Sequence, residues 1–112
     1  MICWQKAREI VKAVYVLTKR DGIKTDFSLK DQMRRAANSV MLNIAEGFCR
    51  KSHKEFKQFL AISLGSMAEL ETQLIISNNI GYIEQRELDD FLEKLDRIRN
   101  MIRSLSSKIS HG

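Results

Sequence analysis

The sequence predicts an all-α protein: one domain over residues 1–112, folded as an antiparallel up-down-up-down four-helix bundle. Three observations predict it. Proline is absent and glycine occurs only five times, so few residues break a helix. Apolar residues recur at three- and four-residue spacing through most of the chain, and no stretch alternates as a strand would. The interruptions are short, and short connections turn successive helices antiparallel.

The first helix is expected from about Ile2 to Arg20, with Ala7, Ile10, Val11, Val14 and Leu17 on one face. Asp21-Gly22 ends it, glycine being the residue that most easily takes a left-handed C-terminal position. Ser28 is expected to cap the second helix, with Asp31 three residues on, and that helix runs to about Phe48, with Gly47 in its last turn. Ser52 and Glu55 form a further S-x-x-E box that opens a third helix lasting to about Ile80, where Gly81 stops it. The fourth helix starts near Glu84. It carries Leu88, Phe91, Leu92, Leu95, Ile98, Ile102, Leu105 and Ile109 on one stripe. Its acids come first (Glu84, Glu87, Asp89, Asp90) and its bases last (Arg97, Arg99, Arg103, Lys108), the order that suits the helix dipole.

Helices two and three carry more than a core stripe. On the third, Phe56, Phe59, Leu60, Met67, Leu70 and Leu74 gather on one face, and Ala61, Leu64, Gly65, Ala68, Thr72, Ile75 and Ile76 on the other. A helix apolar or small all round is buried on both sides. Either another subunit covers the second face, the small residues letting two backbones approach, or the chain's own helices do; the first is favoured. On the second helix, Leu29, Met33, Ala36, Ala37, Val40, Met41, Ile44 and Phe48 form an apolar arc. Beside it runs a polar seam of Gln32, Arg35, Ser39, Asn43 and Glu46, continuing to Arg50. Glu46 and Arg50 are placed to pair four residues apart. The seam is read as fixing bundle register and assembly rather than contacting a ligand.

Composition excludes several classes. No apolar run approaches the roughly 20 residues of a membrane span, and charge from Lys6 onward interrupts the N-terminal stretch, so neither a span nor a secretory signal is expected. Cys3 and Cys49 are isolated thiols, which fits a reduced, cytoplasmic protein. No glutamate has a histidine three residues later, no Cys/His cluster has zinc spacing, and no glycine-rich phosphate loop is present. Cys49 and His53 are four apart, but a helix break separates them and no third group supports a thiol nucleophile. No enzyme activity, metal or cofactor is expected.

The stretch "LKDQMRRAANSVMLNIAEGFCRKSHKEFKQFLAISLGSMAELETQL" resembles the four-helix-bundle proteins associated with intervening sequences of bacterial 23S ribosomal RNA. The likeness rests on Gln32, Arg35-Ala36-Ala37, Ser39, Asn43-Ile44-Ala45-Glu46-Gly47, Arg50, Glu55-Phe56, Phe59-Leu60, Gly65-Ser66 and Glu69-Leu70-Glu71. Trp4–Ala7 and Gly81–Ile83 look like the family's opening and third-turn signatures. The resemblance implies a ring-like homo-oligomer, a pentamer, and no settled biochemical role. A related accessory protein of diversity-generating retroelements looks like a basic pentameric barrel that binds nucleic acid and a reverse transcriptase. The chain departs from the family pattern in its first connection, which lacks a proline near Lys24–Phe27.

The charge is uneven. Of a net +5, residues 1–57 hold 13 Lys/Arg against 6 Asp/Glu, and residues 58–112 hold 6 against 8. Antiparallel wiring gathers Lys6, Arg8, Arg50, Lys51, Lys54, Lys57, Arg103 and Lys108 at one end of the bundle. The other end collects acids diluted by Lys19, Arg20, Lys24 and Lys30. In a ring the basic ends lie together, and the expectation is weak, sequence-independent RNA or DNA binding through counterion release. Phe48, Phe56 and Trp4 are expected in the core, so base stacking is not. Two alternatives stand beside it: a solvated basic end with no ligand, and a scaffold that docks a protein partner without touching nucleic acid.

Overall fold

The apolar stripes become four helices, α1 (Ile2–Leu17), α2 (Phe27–Phe48), α3 (His53–Asn79) and α4 (Gln85–Ser110), in a computed structural model that describes residues 1–110. His111, the second histidine of the chain, lies outside the described residues. The helices pack in chain order around one core, α2 against α3 most extensively and α4 returning to α1, in a body of 47 × 23 × 19 Å. Ile10, Val14, Met33, Ile44, Leu60, Met67, Leu70, Leu74, Leu95, Ile98 and Ile102 are its fully buried centre.

The first connection departs from expectation. α1 ends at Leu17 rather than Arg20, and both the Thr18 amide and its hydroxyl donate to the Val14 carbonyl, the hydroxyl at 2.8 Å. The amides of Lys19 and Arg20 then bond three residues back, to Val16 and Leu17, in the tighter 3₁₀ manner. Gly22 takes φ 94° where a side chain would be strained, and the Tyr82 ring lies against it. A short 3₁₀ turn at Ile23–Thr25 follows and buries Ile23 completely. This turn starts α2 earlier than Ser28, so Asp26 is the cap, accepting from the Leu29 amide at 3.3 Å. Ser28 falls inside the first turn, where its hydroxyl accepts from Gln32 at 3.2 Å. The Tyr82 hydroxyl donates to Asp26 at 3.0 Å, tying the α3–α4 connection to the start of α2.

The other two turns follow their sequence signals. Ser52 accepts from the Glu55 amide at 3.2 Å, as an S-x-x-E box provides. Gly81, at φ 89°, ends the α3 segment, and Glu87 accepts from the Glu84 amide at 3.1 Å at the start of α4.

Small residues bring α2 and α3 together. Ala36, Ala37 and Gly47 on α2 and Ser63, Ser66 and Ser77 on α3 are all buried. The buried hydroxyls are satisfied: Ser63 donates to the Val40 carbonyl at 2.9 Å, Ser77 donates to the Gln73 carbonyl at 2.8 Å, and Ser39 and Ser66 share a bond of 2.7 Å. Gly47 is closely packed against α3, since a Cβ there would lie 2.8 Å from Phe56 Cδ1.

Charged and polar links join the remaining pairs. Arg34 donates to Thr18 at 2.9 Å and stacks 4.4 Å over the Tyr15 ring, and Asn38 donates to the Tyr15 hydroxyl at 3.2 Å. Arg99 on α4 pairs with Glu71 on α3, both largely covered. Arg20 pairs with Glu87 across the α1–α4 side. The hydrogen bond from Arg20, with a smaller one from the Glu84 amide, holds the Glu87 carboxyl below the usual glutamate range. A carboxyl with a lowered folded pKa stabilises the fold above the ordinary value of about 4.3 and loses that contribution as pH falls through the lowered one. The melting temperature of the wild type is therefore expected to exceed that of Glu87→Gln at about pH 6, and the gap to close toward about pH 3. Thermal melts of both proteins across this range check it, and a pH-independent gap would contradict the assignment.

Candidate nucleic-acid interface and assembly face

The wiring α1 up, α2 down, α3 up, α4 down puts the start of α1, the α2–α3 turn and the end of α4 at one end. The eight basic residues expected there lie in these segments, and seven of them are exposed. Lys57 is half-buried and makes an interaction of its own. Lys6 pairs with Glu9 at 3.6 Å, Arg8 lies 5.5 Å over the Trp4 ring, and Arg50 both pairs with Glu46 and lies 4.8 Å over the Phe59 ring. Lys51, Lys54, Arg103 and Lys108 are in no ion pair among the described residues. They are the cations at this end left to meet an external anion.

Phe48 corrects the sequence-based reading. Its apolar position on the arc implied the core, yet 46% of the residue is exposed. The cause is its place at the last residue of α2, where the chain turns away before another helix covers it. Its ring meets Phe56 edge-on, with centroids 4.6 Å apart and planes at 61°. Phe56 and Trp4 are only half-buried and pack against the edge of the core.

The polar seam divides. Ser39 and Asn43 sit between the helices, Asn43 donating to the Ser39 carbonyl at 2.8 Å and hydroxyl at 3.0 Å, with Ser66 opposite. Gln32, Arg35 and Glu46 are exposed, Glu46 bonding its own helix end through Arg50. Sequence spacing identified the α2 half of this contact. It missed the α3 half, because Ser63, Ser66 and Ser77 carry no apolar signal.

The second face of α3 is open. Ala61, Gly65, Ala68, Thr72, Ile75 and Ile76 are exposed, and a Cβ at Gly65 would meet nothing within 4 Å. The alternative in which the chain's own helices hide this face is therefore overturned for these six. Leu64 alone turns toward the core and is half-buried. Ala61, Gly65, Ala68, Thr72, Ile75 and Asn79 follow one another at alternating four- and three-residue steps, the spacing of a coiled-coil seam. Ile62 and Ile80, 48% and 53% exposed, flank it and were not foreseen. The expectation about apolar runs also needs correcting. Among the described helices α3 is long and apolar enough to cross a bilayer, with mean hydropathy 1.3 in an 18-residue window of which 33% is buried.

Along the α1–α4 side runs a shallow groove. One part, of about 130 Å³, is floored by Ile10, Ala13, Ile98 and Met101, and the next extends past Val16 to Phe91. Chemistry-bearing clusters are sparse. Among the described residues no three His, Cys, Asp or Glu side chains gather as metal ligands. Cys49 is exposed at the α2 C-terminus and His53 begins α3 across the turn.

No curated protein sequence matches the chain. Among solved structures it is similar to a protein of unknown function from the S23 ribosomal protein family of Bacteroides thetaiotaomicron, with a TM-score of 0.84 and 20% identity over 93% of this chain and 97% of that one. That likeness shows the helical fold. Residues 1–104 match the family described as 23S rRNA-intervening sequence protein. With nearly its whole length matched, and the four-helix fold of a structural neighbour from the S23 ribosomal protein family, the chain belongs to the 23S rRNA-intervening sequence protein family.

Proposed function

We propose that this protein is a non-catalytic, self-assembling bundle that holds RNA or DNA at its basic end. Copies associate through the outer face of α3 into a ring, with the pentamer as the expected size, in the cytoplasm. The observation that carries the nucleic-acid reading is the gathering at one end of Arg8, Arg50, Lys51, Lys54, Arg103 and Lys108, with the acids Glu46 and Glu55 among them. A ring with its subunits side by side multiplies that charge, and phosphate contacts of this kind release counterions without reading sequence. The open apolar face of α3 supports the assembly, since a soluble chain rarely leaves such a stripe uncovered. The family's association with intervening sequences of 23S rRNA names a polyanion of the right kind.

The α1–α4 groove favours a second reading, a scaffold that docks a protein partner such as a reverse-transcriptase-like or RNA-processing protein and makes no nucleic-acid contact. Salt separates the two. Fluorescence anisotropy with a labelled RNA is expected to show affinity falling steeply between roughly 50 and 200 mM salt. The Lys51→Glu, Lys54→Glu double variant is expected to weaken binding and flatten the salt slope by about 1 for each phosphate contact removed. Lys57 is left in place because its side chain is already engaged. Binding that ignores both salt and the double variant would refute the basic-end reading.

A further inference from the structure

The geometry points to single-stranded nucleic acid as the ligand class of the basic end, with a base stacking on Phe48; the inference rests on the nucleic-acid reading above. Three features converge on it. The Phe48 ring is met by Phe56, and the residue as a whole is 46% exposed. Flat aromatic surface of this kind at a polar, basic corner suits a nucleobase, because every base offers a π-face. Arg50 and Lys51 follow Phe48 in the α2–α3 turn and Lys54 lies on the first turn of α3, so the same corner carries positive charge. A strand whose base lies on Phe48 has its phosphates within reach of these side chains.

The surroundings are aromatic as well. Arg34 meets Thr18 and Asn38 meets Tyr15 along the α1–α2 contact. Continuing that register brings the Trp4 turn opposite the Phe48 turn. Trp4, Phe48, Phe56 and Phe59 thus collect at the basic end, while Phe27 and Phe91 lie on other parts of the bundle. Arg8 lies over Trp4 and Arg50 over Phe59, so both guanidinium groups rest against aromatic rings at this end. Arg50 is shared with Glu46, which leaves Lys51 and Lys54 as the principal phosphate contacts.

Stacking and charge predict opposite preferences. Duplex DNA carries about one charge per 1.7 Å and is the better ligand for a site that uses charge alone. Bases inside a duplex are already stacked, so a site that uses Phe48 prefers the single strand. The experiment is anisotropy with an oligo-uridine strand and a mixed-sequence duplex of equal length, at one salt concentration, on the full chain. The single strand is expected to bind more tightly. Phe48→Ala is expected to weaken it at least about fivefold and leave duplex binding unchanged. Phe48→Leu keeps the apolar contact with Phe56 but has no π-face, and is expected to behave as Phe48→Ala. Phe48→Trp is expected to retain full affinity, and circular dichroism confirms that each variant is folded. Duplex bound as tightly as the single strand, or a silent Phe48→Ala and Phe48→Leu, would overturn the stacking site and leave the charge-based reading standing. Absence of binding to either oligonucleotide would overturn both.

Discussion

A glutamate placed at Ala68 is expected to leave the helices intact and reduce the particle to the 13.0 kDa of one chain. Ala68 is exposed in the centre of the four- and three-residue seam, between Gly65 and Thr72. Within one chain the change costs only a few tenths of a kcal/mol, because it swaps good helix formers at a solvent-facing position. In an assembly it buries a carboxylate with no partner, at several kcal/mol for each interface, and a ring repeats that cost at every contact. Light scattering of the wild type and Ala68→Glu reads the outcome directly. A wild type that is itself monomeric, or an Ala68→Glu particle of unchanged mass, would remove α3 as the assembly face.

Leu70 lies two residues away and is expected to behave in the opposite way. Two residues turn a helix by about 200°, so Leu70 faces inward, where it is fully buried. Leu70→Ala is expected to cost about 2–5 kcal/mol through lost burial and the cavity left behind. For a domain of this size the melting temperature falls by about 10 °C or more. That is a large share of the roughly 5–15 kcal/mol by which such domains are stable. Thermal denaturation checks the value, and a shift of only a degree or two would mean that the core at α3 is not closely packed. The pair separates the two faces of one helix: Ala68→Glu changes mass without unfolding, and Leu70→Ala changes stability.

The four helices were legible because apolar spacing survives any choice of loop, and Ser52 and Gly81 mark ends whose chemistry is local. The first connection was not. Asp26 displaces Ser28 as the cap because Ile23 buries itself and Tyr82, 56 residues further along, bonds Asp26, and neither event is visible in the local sequence. The basic end could be placed from antiparallel wiring alone. Phe48 could not, since an apolar residue on the right arc is covered only if the helix continues past it, and α2 stops there. The α3 serines were missed for the converse reason. They are buried because backbones approach closely, and a period of apolar residues does not report small polar ones.

The close α2–α3 contact has a kinetic consequence. These two helices are joined by a turn of four residues and share the most extensive packing in the molecule. Contacts between chain neighbours carry little loop-closure entropy, so a hairpin of α2 and α3 is favoured as the folding nucleus, with α1 and α4 docking onto it. The outer face of α3 belongs to that hairpin, so on this folding order it would be formed before α4 closes the bundle. In the proposed assembly, copies would therefore meet while still folding, and concentration would set the order of docking and association.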